Sequence, residues 1–339
     1  MQQSLFPQVR FPSLPADVLL RESPVEPTPL HSTENLLTPP STDHAPRHAH
    51  WQPERKRISD AMTAAGLSLT RCVTFAGCGD GMWILRNKAN PAQFKLAPDY
   101  CHDRFCRPCA ASRSATVARN IRELIGDHHA RHITLTLKHR PQPLKEQLDR
   151  LYAAYRRLRQ RRLWKERVTG AAAMLEITWN ADTNRWHPHL HVVAIGDFLP
   201  LSDLRAAWLA VTGDSHIVDI KLIKDPRTTA AYVAKYATKA IDSELTTHPL
   251  PLTEAIRALT GRRAIVSSGS WAHARLTTPP KNDEWTCVCH ANELHFCDRI
   301  PPSLVPVLAT WLQQVRDNLA EPLAILDLPQ LPPQQEKPP

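Results

Sequence analysis

No run of apolar residues in this 339-residue chain approaches the roughly 20 needed to span a bilayer. The N-terminus also lacks a basic stretch feeding an apolar one, the pattern of a secretory leader. The expectation is a cytoplasmic protein without a membrane partner. Internal repeats are absent, which argues against a solenoid, and no helicase motif is recognisable. Acidic residues are scarce where basic ones gather: residues 131–170 hold 12 Lys or Arg against 3 Asp or Glu, a surplus equal to the +9 of the whole chain. The basicity is therefore local, and it points to a polyphosphate partner.

What is present divides the chain. Ten prolines fall in residues 1–53 and six from residue 321 onward, with few periodic apolar positions among them. Such segments bury too little to offset their ordering entropy, so residues 1–55 and 321–339 are expected to be disordered Pro-rich tails. Between them the chain is assigned a cysteine-rich, zinc-like, DNA-binding segment at 56–125, a core at 126–245, and an extension at 246–320 with a second Cys/His cluster and a helix.

The pattern of the core sets the fold class. H-I-T-L-T-L-K-H (132–139) alternates as a strand, and from Pro143 the positions Leu144, Leu148, Leu151, Tyr155 and Leu158 follow helical spacing. A-M-L-E-I-T-W-N (173–180), a turn at A-D-T-N-R, and a third strand containing R-W-H-P-H-L-H-V-V-A-I-G (185–196) come next. A helix over 201–211, a strand over 215–223 and a helix over 228–241 complete a split β-α-β-β-α-β. This is an α+β fold of the ferredoxin-like kind, an antiparallel sheet with helices on one face.

Three groups of residues carry chemistry. In a strand, His187, His189 and His191 share one face; a four-residue hairpin loop brings Glu176 opposite His189 on that face. One carboxylate and two imidazoles on a rigid sheet suit an open divalent-metal site. In A-A-Y-V-A-K-Y-A-T-K-A (230–240), helical spacing sets Tyr232 and Tyr236 one turn apart, and Lys235 and Lys239 likewise. Tyrosine can act as a covalent nucleophile on a phosphodiester when a metal polarises the phosphate. Cys101, Cys106 and Cys109 form C-x4-C-x2-C, with Cys72, Cys78 or His102 as the fourth ligand of a structural Zn²⁺. A further group, Cys287, Cys289, His290, His295 and Cys297, fits either a second zinc or a hairpin with incidental cysteines. The helix carrying Arg156, Arg157, Arg159, Arg161 and Arg162 presents an almost wholly cationic polar face, and Arg104 and Arg113 adjoin the front cysteines; all are candidate contacts to DNA.

H-P-H-L-H-V-V, preceded by T-L-T-L and followed by Y-V-A-K-Y, resembles the three ordered motifs of the HUH endonucleases, specifically the rolling-circle replication initiators of small plasmids. The resemblance covers roughly Arg71 to Arg275, because C-H-D-R-F-C-R-P-C-A-A-S-R-S (101–114) and G-R-R-A-I-V-S-S-G (261–269) also resemble segments of those proteins. It implies His189 and His191 as ligands of Mg²⁺ or Mn²⁺, with Glu176 third and His187 in reserve, and Tyr236 as nucleophile. Lys235 and Lys239 would bind phosphate. The partners implied are plasmid origin DNA, single-stranded or in a hairpin, with a host helicase and polymerase, in a prokaryotic cytoplasm. Many members carry a glutamate four residues before the tyrosine; here that position is Tyr232. The Y-x-x-x-Y pattern resembles two-tyrosine initiators and transposases instead, which makes Tyr232 a second nucleophile or a structural residue. The alternatives are a two-tyrosine HUH transposase or relaxase, and a non-catalytic, zinc-stabilised DNA-binding regulator.

Overall fold

The computed structural model describes residues 52–223, 244–278, 284–317 and 326–327. In chain order the helices and strands are α1 (Gln52–Ala64), α2 (Leu69–Ala76), β1 (Met82–Asn87), β2 (Gln93–Pro98), α3 (Arg107–Ile125), β3 (Ala130–Thr136) and α4 (Leu144–Gln160). There follow α5 (Arg162–Arg167), β4 (Gly170–Asn180), β5 (Arg185–Ile195), α6 (Leu201–Thr212), β6 (Val218–Ile223), α7 (Pro249–Leu259), β7 (Ile265–Gly269), β8 (Trp285–His290) and α8 (Val305–Asp317). They fall into two compact units, one built from residues 81–99 and those after 279, the other from the rest of the described chain. None of the helices is long and apolar enough to cross a membrane.

The larger unit is an antiparallel sheet in the order β6-β3-β5-β4-β7. β4 and β5 are joined by the turn 181–184, where Asn180 Oδ1 accepts from Thr183 N at 2.8 Å and Asn184 takes a positive φ of 48°, a conformation asparagine tolerates. That turn fixes the pairing Asn180↔Arg185 and, from it, Glu176↔His189. Alternation then sorts the strands. Ile133, Leu135, Ala173, Leu175, Ile177, Leu190, Val192 and Ala194 are buried on one face against Leu144, Leu148 and Leu151 of α4 and Leu204 and Trp208 of α6. Each buried Val, Leu or Ile among them is worth about 1.5–3 kcal/mol of transfer free energy, so this face anchors the sheet.

The histidines occupy the other face, and it is not bare. α3 lays Val117, Ala118, Ile121 and Ile125 over Ala172, Met174, Val193 and Ile195 at one end of the strands, leaving the histidine end uncapped by that cluster. At the end that α3 covers, two glycines permit close backbone approach. A Cβ on Gly269 (φ +63°) would meet Thr169 O at 2.1 Å, and one on Gly196 (φ +135°) would meet Arg167 O at 2.3 Å.

The smaller unit pairs β1 with β2 and with β8. Residues 82–98 thus leave the cysteine-rich stretch around them to join strands from the far end of the chain. Ile84, Phe94 and Leu96 pack with Val288, Leu308, Trp311 and Leu312. β8 is irregular: Leu85 pairs with Cys287 and Ile84 with Cys289, leaving Val288 between them unpaired.

Candidate functional site

The side chains of the histidine face fall into rungs across the sheet. One rung across the sheet runs Asp219, Thr134, His191, Met174, Ile265, and the next runs Thr136, His189, Glu176. Glu176 and His191 are both buried, and His191 Nε2 donates to Glu176 Oε2 at 2.7 Å. His191 Nδ1 faces His132 Nε2 at 3.3 Å and Thr134 Oγ1 at 3.4 Å. The His132 and His191 rings stack, 5.3 Å between centroids and 13° apart. His189 Nδ1 is buried and has no hydrogen-bond partner among the described residues.

Burial keeps His132 and His189 neutral. Desolvation, and secondarily His191, lower His132 to about 4; desolvation likewise lowers His189 to about 4, against the opposing pull of Glu176. Neutral nitrogens beside a carboxylate are what a divalent ion requires. Donors on an octahedral ion at about 2.1 Å stand about 3.0 Å apart, close to the 2.7 Å from Glu176 Oε2 to His191 Nε2, where an ion would take the place of the shared proton. His189 is not drawn into so tight a group, its ring centroid lying 6.4 Å from that of His191. His187 turns away to His139, with Nδ1 atoms 3.3 Å apart, and both are lowered by desolvation. His132 and Thr134 are the residues that motif reading passed over; the alternation of H-I-T-L-T sets them on the histidine face.

The front cysteines converge. Cys78, Cys101, Cys106 and Cys109 have all four sulfurs within 4.8 Å of one another, with Cys78 to Cys106, Cys109 at 3.5 and 3.6 Å and Cys101 to Cys109 at 3.7 Å. Tetrahedral Zn–S bonds of about 2.3 Å put sulfurs about 3.8 Å apart, so the group can hold a metal such as zinc. Backbone N–H groups of Cys101 and Asp103 donate to the sulfurs of Cys78 and Cys101. Hydrogen bonds from Cys101, Cys106 and Cys109 hold the Cys78 thiol well below its usual range. Cys78 is thus the fourth member of the group. Cys72 is instead buried in α2 with its thiol toward Leu67 O, and His102 is exposed outside the group.

The later cluster does not converge among the described residues. Cys287 packs with Leu85 and Trp285, while Cys289 lies in the other core with Cys297 beside it. His290 Nε2 bonds to Asp99 Oδ2 at 3.0 Å.

The arginines separate by role. α4 carries Arg156, Arg157 and Arg159 on the sheet face opposite the histidines; Arg157 donates to Val211 O at 2.7 Å, Arg159 lies over the Tyr155 ring, and Arg162 pairs with Glu166. Arg156 and Arg161 are exposed. Arg104 donates to the carbonyls of Leu259 and Arg262, and Arg113 to that of His102. Tyr232, Tyr236, Lys235 and Lys239 lie outside the described residues.

An antiparallel sheet with a buried carboxylate opposite paired histidines belongs to a segment with known relatives: residues 93–197 match the model of a family described as Replication protein. The span contains Glu176, His189, His191 and three of the four clustered cysteines, and it ends before Tyr232. A Protein rep from Bacillus amyloliquefaciens is 31% identical over 101 residues, 28% of this chain and 30% of that protein. A Protein rep from Lactiplantibacillus plantarum is 29% identical over 155 residues, 42% of this chain and 48% of that one. A Protein rep from Streptococcus pneumoniae serotype 2 is 21% identical over 169 residues, 48% and 50% of the two chains. The chain spans half or less of the length of these relatives. No solved structure matches. The resemblance to replication initiators read from the motifs is borne out over this segment.

Proposed function

We propose that this chain initiates rolling-circle replication of a plasmid by nicking and rejoining one strand of the origin. The observation that carries this is Glu176, hydrogen-bonded to His191 and paired with His189, on neighbouring strands inside the replication-protein segment. Glu176, His189 and His191 would hold Mg²⁺ or Mn²⁺, with His187 in reserve. Such an ion, when bound, supplies Lewis-acid polarisation of a phosphate oxygen. Tyr236 attacks the scissile phosphorus: a tyrosyl O–P bond forms, the P–O3′ bond breaks, the phenolic proton is given up, and the departing oxygen takes a proton to become a 3′-OH. The 5′-phosphotyrosine link is reversed by a 3′-OH, which rejoins the strand, and Tyr232 serves as a second nucleophile. Lys235 and Lys239 hold the phosphate. Zn²⁺ on the four cysteines has a structural role, the free 3′-OH primes a host polymerase, and a host helicase opens the duplex in a prokaryotic cytoplasm.

The test is cleavage of a labelled single-stranded origin oligonucleotide in Mn²⁺. Wild type is expected to form a covalent adduct with the 5′ end of the downstream fragment, and Tyr236→Phe and His189→Ala/His191→Ala to form none. An adduct that survives Tyr236→Phe and is lost in Tyr232→Phe reassigns the nucleophile. Absence of cleavage by wild type on every origin oligonucleotide overturns the enzyme and leaves a DNA-binding regulator.

A further inference from the structure

At the β7 edge of the larger sheet lies a cleft of about 560 Å³ that the site residues above do not explain. Its walls are α3, through Ala110 and Arg113, and the loop 270–278; its floor is the start of β7, Ile265 and Ser267. The charge is of one sign: Arg104, Arg113, Arg262, Arg263, His273 and Arg275 line it, and no carboxylate does among the described lining residues. Some of these cations are already committed, Arg104 to backbone carbonyls and Arg262 to Asp149 at 2.6 Å. Arg263 and Arg275 are exposed and take part in no ion pair among the described residues.

The cleft is built rather than incidental. Asn120 Nδ2 of α3 donates to the carbonyls of Leu276 at 2.8 Å and Thr278 at 2.9 Å, and Trp271 is buried beneath the loop. Tyr152 OH donates to Arg263 O at 2.6 Å, which fixes the backbone from which that guanidinium projects. The rung Ile265, Met174, His191 shows that the floor and the buried carboxylate–histidine pair share one sheet face. Two strand spacings separate them, about 10 Å.

We infer that this cleft binds the phosphodiester backbone of single-stranded DNA, leading the strand across the sheet toward Glu176 and His191. The inference rests on the proposed action on origin DNA. Exposed guanidiniums on a fixed backbone suit phosphate oxygens, and the floor of the cleft, Ile265 and Ser267, lies on the histidine face of the sheet, which lets one strand meet both cleft and site.

The test is the affinity of a fluorescein-labelled single-stranded oligonucleotide by anisotropy, across about 50 to 200 mM salt, in a Tyr236→Phe background so that no cleavage intrudes. Losing two phosphate contacts on a single strand makes the log–log salt slope shallower by about 1.4; Arg263→Ala/Arg275→Ala is expected to show this with about tenfold weaker binding. Arg263→Lys/Arg275→Lys, which keeps the charge, is expected to retain the slope. An Ala variant with an unmoved slope overturns the cleft even where wild type nicks origin DNA. A slope that depends on the cleft in a chain that never nicks upholds the cleft and counts against the nicking alone. A loss confined to duplex probes overturns the assignment to single strands.

Discussion

The four sulfurs of Cys78, Cys101, Cys106 and Cys109 and the row Glu176, His189, His191 are both donor sets, yet they differ in how far the fold closes them. The sulfurs come from the end of α2, a short loop and the first turn of α3, and they meet at tetrahedral spacing. The carboxylate and imidazoles come from neighbouring strands of a sheet, where Cβ positions are fixed by the pleat, and only Glu176 and His191 touch. A closed set suits an ion that holds a chain together; an open one leaves room for substrate oxygens. The difference lies in the supporting backbone as much as in ligand chemistry.

The comparison predicts opposite responses to substitution. His189→Ala/His191→Ala is expected to lower nicking by at least about 100-fold, a loss in the range seen when electrostatic stabilisation of a transition state is removed, while the thermal midpoint moves little. Cys106→Ser is expected to destabilise the larger unit by on the order of 5 kcal/mol, since metal binding in such a site is folding free energy. Urea melts with and without a zinc chelator would show it, and a Cys106→Ser protein as stable as wild type would make the cysteines ordinary core thiols.

Acid should act on the histidine face. His132 and His189 are held at about 4 in the fold against an ordinary value of 6.5, so the unfolded chain binds more protons between those limits. Their contribution is fully present above pH about 6.5 and is lost as pH falls toward about 4. A melt series across that window should show falling stability that His132→Phe makes shallower. The same substitution is expected to weaken Mn²⁺ binding about tenfold, because His132 orients His191. Smallest is Cys72→Ser, expected to leave zinc stoichiometry at one per chain and to cost about 1 kcal/mol from burial of a hydroxyl.

Much of the sheet was legible because its signals are local. The strand at 130–136 alternates visibly, those at 170–180 and 185–195 flank an evident turn, and a four-residue turn is enough to set Glu176 opposite His189. β7 was not, because I-V-S-S-G is short and lacks alternation; it is held by β4 from across 90 residues of chain. The pairing of β1 with β8 is similarly non-local. Cys72 and Cys78 stood as equals in the sequence, and only the end of α2 between them decides which reaches the cluster. His132 carried a usable signal, two residues before Thr134 on a face already known to be polar, but its meaning depends on β3 lying next to β5.

α3 has a consequence for anyone working with the protein at the bench. This 19-residue rod, about 28 Å long, starts in the cysteine cluster, forms a wall of the arginine cleft and ends on the histidine face of the sheet, at the end of the strands away from His189. A chelator added to strip Mn²⁺ from a nicking assay would also draw on the sulfurs at the rod's near end. Inactivation should then have two phases, a fast one reversed by Mn²⁺ alone and a slower one that needs zinc and refolding.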